Sequence, residues 1–186
     1  VPPLQPSKST ALVVVDVQVG FRNAFTAGVF SRIPDLLRFY RQCVFSLFEN
    51  TPDSPVARIK GWSGMMQGDP LTRPDFDHDL VPSEDRLVVR KSAFSALTKE
   101  ALEWLQGRAV ETLHIVGCDT DLCVTMTARD AMENGLCPCI FTDWVTSTAG
   151  EPVHRNALLG LKRLVGKHNL IGADTVESTL PAGSTP

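Results

Sequence analysis

The stretch TLHIVGCDTDLCVTMTARDAMENG at 112–135 carries two hydrophobic periods in succession. TLHIVG at 112–117 is a short apolar run with β-branched residues, which predicts a strand. Val124, Ala128, Ala131 and Gly135 then fall on one face of a helix. Side chains this small let a helix lie close on a sheet. Thr120 is placed to cap that helix, with Cys123 in its first turn. A strand passing through a short turn into a helix is the repeating unit of an α/β sheet.

The same alternation extends outward in both directions. Strand-like runs rich in Val, Ile and Leu occur at 11–17 (ALVVVDV), 55–61 (PVARIKG), 86–91 (RLVVRK), 138–143 (PCIFTD) and 169–173 (NLIGA). Runs without polar alternation are expected of parallel strands covered on both faces. Ile33, Leu36, Leu37, Tyr40, Val44, Leu47 and Phe48 step by three and four, predicting a helix with Pro34 in its first turn. Val153, Ala157, Leu161 and Leu164 form another helical stripe. The fold class is therefore α/β, a mainly parallel sheet between helical layers.

The chain has 186 residues, 43% hydrophobic and 21% charged, with a net charge of -3. These values predict one globular domain over 1–186, with a loose lead at 1–10 and a tail at 176–186. No basic block suits nucleic acid or an anionic membrane, and no apolar run approaches a membrane span. The lead VPPLQPSKST at 1–10 reads as neither a signal nor a transit peptide, so a cytoplasmic setting is expected. The five cysteines are an odd number for a disulfide framework. Cys137 and Cys139 read as buried thiols in a strand, and the four scattered histidines suggest no zinc site. The acidic loop TRPDFDHDL at 72–80 reads as solvated. Dinucleotide-binding, P-loop and nucleophile-elbow motifs are absent from the sequence.

In open α/β folds ligands bind outside the carboxyl ends of the strands. Those ends deliver Asp16, Gln18 and Phe21 from the first strand, Lys60 and Trp62 from 55–61, and Lys91 from the third. Asp119 and Cys123 come from the fourth. An acid, a cation and a thiol arriving at one edge are the parts of nucleophilic catalysis. A helix start and a lysine favour a Cys123 thiolate, while Asp119 and Asp121 oppose it. Phe21 and Trp62 suggest a cavity wall for a planar or apolar substrate part.

Three segments resemble one known family: ALVVVDVQVGF at 11–21, DLVPSEDRLVVRKSAFSAL at 79–97 and HIVGCDTDLCVTMTARDAMENG at 114–135. The chain is similar over about 10–175 to the isochorismatase-like cysteine hydrolases, which include nicotinamidases, N-carbamoylsarcosine amidohydrolases and ureidoacrylate amidohydrolases. The resemblance implies a six-stranded sheet of order 3-2-1-4-5-6. It makes Asp16 the general base, Lys91 the cation beside it and Cys123 the nucleophile. The backbone N–H groups of Asp119 and Cys123 would form the oxyanion hole, with a cis peptide between Cys118 and Asp119. Gln18, Phe21 and Trp62 would contact substrate.

The implied reaction cleaves a C–N bond of a small amide or ureido compound through a thioester. Nicotinamidases carry a metal-binding Asp-x-His segment after the second strand, and KGWSGMMQGDP at 60–70 has no histidine. No metal or other cofactor is therefore expected. The alternatives are vinyl-ether hydrolysis of isochorismate with Asp16 as acid, or a non-catalytic member that binds a ligand or partner. Family resemblance also implies a homo-oligomer, a dimer or tetramer, and Phe25, Val29 and Phe30 suit an interface.

Overall fold

Strand β1, Thr10–Val15, is buried along its whole length, and its side chains divide between two cores. Leu12 and Val14 face one helical layer, and Val13 and Val15 face the other. This is what the unbroken apolar run at 11–15 requires of a central strand. The structure, a computed structural model, describes residues 6–172. The tail expected over 176–186 and the first half of the lead lie outside the described residues.

Around β1 lie β2 (Cys43–Phe48), β3 (Arg86–Lys91), β4 (Thr112–Cys118), β5 (Cys137–Thr146) and β6 (Leu170–Ile171). They form one six-stranded sheet, order β3-β2-β1-β4-β5-β6, and every neighbouring pair is parallel. The chain starts on the central strand, moves to one edge, then returns to build the other half. Asp16 and Asp119 therefore emerge side by side where the strand order reverses, the usual place for a ligand crevice.

One face carries α1 (Ala27–Phe30) and α2 (Ile33–Leu37), whose Phe30, Ile33 and Leu36 pack on Leu12, Phe45 and Phe141. The other carries α4 (Lys99–Gln106), α5 (Thr125–Glu133) and α6 (Glu151–Val165). Leu105, Ala128, Ala131 and Leu161 fill that core without exposure, so the small-residue face of α5 does lie on the sheet. Among the described residues no helix is long and apolar enough to cross a membrane.

Two elements differ from the sequence expectation. The helix anticipated from Ile33 to Phe48 stops at Leu37, and residues 43–48 form β2, buried at all six positions. The strand anticipated at 55–61 is instead a short helix, α3 (Pro55–Arg58). Ser54 caps it by accepting from the Ala57 N–H at 3.0 Å, and Pro55 occupies its first position. Cys139 is buried as expected, but Cys137 is exposed. Phe30, expected at an interface, is sealed in the core, while Phe25 is 57% exposed. The acidic loop is partly tied down: Asp75 pairs with Arg22, Asp79 with Arg86, and His78 stacks on Phe45.

His114 on β4 is 3% exposed, with its Nδ1 2.7 Å from the Tyr40 hydroxyl. Burial holds its pKa down at about 4. Between the ordinary value near 6.5 and that value, the unfolded chain binds a proton that the folded chain refuses. Stability is thus lost as pH falls through this window. His114 alone is expected to remove about 2 kcal/mol between pH 7 and pH 5, or about 5 °C in melting temperature. Melting curves of wild type and His114→Phe across that range measure it. An equally steep fall in the variant would place the effect elsewhere.

Candidate active site

Asp16 directly follows β1 in the left-handed region, with φ 51. This breaks the in-and-out alternation of the strand. Its carboxylate accepts from the Ser46 hydroxyl at 2.6 Å on one oxygen and from Lys91 Nζ at 2.7 Å on the other. Lys91, the last residue of β3, also donates to the Ala93 carbonyl at 3.1 Å, and its Nζ lies 3.8 Å from Cys123 Sγ. All three side chains are buried, Asp16 at 1% exposure. The sheet thus brings together an acid, a cation and a thiol separated by 75 and 32 residues in the chain.

Charge balance decides the resting state. Burial is the largest influence on the Cys123 thiol and pushes it well above its ordinary range; the Asp16 carboxylate adds to this and Lys91 opposes it. Burial also acts to lower Lys91, but the Asp16 charge and the Cys123 sulfur more than offset it and raise it. The Cys123 thiol is therefore neutral at rest beside the Asp16–Lys91 ion pair. Ionising the thiol as well would leave a net negative charge out of water.

Cys123 sits in a π turn, Thr120–Val124, that leads into α5. Asp119, not Thr120, precedes this turn, and its carbonyl accepts from the N–H groups of both Leu122 and Val124 at 3.0 Å. The peptide bond between Cys118 and Asp119 is cis. Thr120 instead turns its hydroxyl to His154 Nδ1, 2.9 Å away on α6. The Asp119 carboxylate does not project freely. One oxygen accepts from the Thr148 N–H at 2.6 Å and the other from the Thr148 hydroxyl at 2.8 Å. Burial raises its pKa, against these two bonds. Asp121 accepts from the Ser147 hydroxyl at 2.6 Å, so both carboxylates pin the loop after β5.

Cys123 opens onto a cavity of about 430 Å³. Phe21, Phe48, Trp62 and Phe94 supply its apolar wall, and Lys60 and Arg22 also line it. The Phe21 and Trp62 rings stack 6.5 Å apart with 22° between their planes. Gln18, expected to touch substrate, does not line this cavity. It is fully buried, donates to the carbonyls of Phe48 and Thr72 at 3.0 and 2.7 Å, and accepts from the Phe48 N–H at 2.8 Å. It fastens the end of β2 to the loop at 72.

Sequence reasoning missed two supports. Ser46 is hidden in the sequence because the three-and-four spacing over 33–48 predicts a helix where β2 runs. Asn50, fully buried just past β2, donates to the Trp62 and Gly64 carbonyls at 2.7 and 3.3 Å and accepts from the Ser54 hydroxyl. This amide ties the backbone of the Trp62 wall to the end of β2. A buried polar residue after an apolar strand was the available signal.

A family model for the isochorismatase domain matches residues 10–169, and the chain belongs to that family. It is a hydrolase of the isochorismatase-like type. Nicotinamidase 3 of Arabidopsis thaliana is 26% identical over 163 residues, 83% of this chain and 81% of that one. A nicotinamidase/pyrazinamidase of Mycobacterium tuberculosis is 38% identical over 50 residues, 27% of each chain. The crystal structure of N-carbamoylsarcosine amidase from Thermoplasma acidophilum aligns with a TM-score of 0.71 at 25% identity, covering 85% of this chain and 93% of that one.

The nicotinamidase metal segment has no counterpart in the residues here. The stretch after the observed β2, ENTPDSP at 49–55, lacks histidine, as does 60–70. Among the described residues no group of three or more His, Cys, Asp and Glu is placed to hold a metal ion. The donor set does not fit one.

Proposed function

We propose that this chain is a cysteine amidohydrolase that cleaves the C–N bond of a small amide or ureido compound without a metal. The observation that carries this reading is the Asp16–Lys91–Cys123 cluster, closed at 2.7 and 3.8 Å and opening onto a single cavity. Because the resting thiol is neutral, Asp16 acts as general base at the moment of attack. It takes the Cys123 proton as sulfur bonds to the carbonyl carbon. Lys91 stays beside both groups and balances the charge that passes from carboxylate to sulfur. The N–H groups of Asp119 and Cys123 hold the oxyanion. The C–N bond then breaks, Asp16 returns the proton to nitrogen, and amine leaves. Water, deprotonated by Asp16, attacks the thioester and releases the acid and the thiol.

The test is to quench a reaction with benzamide, nicotinamide or N-carbamoylglycine in acid and map the adduct by mass spectrometry. An acyl or carbamoyl group on the peptide containing Cys123 is expected, at up to one per chain. Turnover without an adduct, and undiminished in Cys123→Ala, would overturn the thioester route.

A further inference from the structure

Among the described residues, Lys60 is the cation of this cavity that makes no ion pair. Arg22 also lines it, but Arg22 pairs with Asp75 and donates to the Ser31 hydroxyl at 2.9 Å. Lys91 is committed to Asp16. Among the described residues no carboxylate lies within ion-pair distance of the Lys60 ammonium, although Asp119 and Asp121 line the same cavity. Those two carboxylates are occupied by Thr148 and Ser147.

The position of Lys60 is set by its backbone. Ser54 caps α3 just before it, Gly61 follows in the left-handed region at φ 70, and Asn50 holds the Trp62 carbonyl. From the catalytic cluster to Lys60 runs an aromatic path. Lys91 Nζ lies 5.3 Å from the Phe48 ring centre, Phe48 lies 5.7 Å from Trp62, and Trp62 lies 6.0 Å from Lys60 Nζ. Lys60 and Cys123 line the same cavity, and these rings form the wall between them.

The geometry points to Lys60 as a specificity-determining residue, and to a substrate that carries a carboxylate at the end opposite the amide, across a planar or apolar spacer. This rests on the amidohydrolase reading and adds the substrate's charge to it. Lys60 is exposed at the mouth of the cavity, and a carboxylate reaching its ammonium makes a charge-assisted contact beside the Trp62 ring.

The experiment compares 4-carboxybenzamide with benzamide. Binding to Cys123→Ala is measured by calorimetry, and turnover by the Cys123 enzyme from kcat and KM. The carboxylated amide is expected to bind about tenfold more tightly, a ratio that falls to about one in the Lys60→Ala form, reverses in Lys60→Glu and is retained in Lys60→Arg. The change is expected in KM rather than kcat. No preference for the carboxylated probe, no measurable binding of it, or a ratio unmoved by Lys60→Ala overturns the proposal. A Lys60-dependent binding preference without an acyl adduct on Cys123 would uphold it and overturn the thioester route instead.

Discussion

Asp16→Asn is expected to lower kcat/KM by about a thousandfold or more, and Cys123→Ala to abolish turnover. The amide keeps the size of the carboxylate and can still accept from Ser46, which approaches at 2.6 Å. It cannot take the thiol proton. Because burial and Asp16 keep the Cys123 thiol neutral at rest, there is no standing thiolate to fall back on. The loss should appear in acylation, so the adduct on Cys123 should not build up. Lys91→Met separates charge from proton transfer. It leaves a buried, unpaired carboxylate, which costs about 3–5 kcal/mol of stability as well as activity. Urea denaturation beside steady-state kinetics distinguishes the two. Asp16→Asn activity within tenfold of wild type would show that another group moves the proton.

The parts of this site that the sequence displays are those placed by uninterrupted strands. β1, β3, β4 and β5 are apolar runs that end in a polar residue, so Asp16, Lys91 and Asp119 could be located at strand ends before any geometry. β2 was obscured because apolar residues spaced by three and four continue from Ile33 through Tyr40 into Val44, Leu47 and Phe48. The chain turns between 38 and 42, and a periodicity count passes through a turn without registering it. Phe45 beside Val44 is the telling feature, since adjacent apolar residues suit a strand buried on both faces. The reverse error at 55–61 has a matching cause. Val56 is buried, but Ile59 is 86% exposed, so its β-branched side chain satisfies no core. Gln18 is hard to place from sequence because a polar residue after a strand-end aspartate can turn toward the cavity or toward backbone. Here three backbone bonds claim it. Ser46 reaches Asp16 and Asn50 reaches Trp62 and Gly64, all more than ten residues away in the chain, and no local pattern marks such pairings.

Gly117→Ala is expected to be among the most damaging single substitutions in the chain. Gly117 is buried in β4, opposite Val15 in the register with β1, at φ 108. A β-carbon there would lie 2.1 Å from the Val15 carbonyl oxygen and 2.8 Å from its nitrogen. Both are backbone atoms of the central strand, which is paired on its other side with β2, so neither can move alone. Local pairing is already irregular, because the β4–β5 register shifts between Ile115 and Gly117. Relief would require parting β1 from β4 where Asp16 and Asp119 leave the sheet, which displaces Asp16 from the Cys123 turn. A loss of about 4 kcal/mol or more is expected, at the exceptional end of single substitutions, or about 10 °C in melting temperature. Gly135→Ala is the control. Gly135 also has a positive φ, 75, but a β-carbon there meets nothing within 4 Å, so only backbone strain of about 1–2 kcal/mol is added. Urea denaturation of both variants isolates the steric part. Equal losses would show that the approach of Val15 to Gly117 does not constrain the fold. A far larger loss at Gly117, with residual activity falling in parallel, would show that the contact between these strands holds the catalytic residues in register.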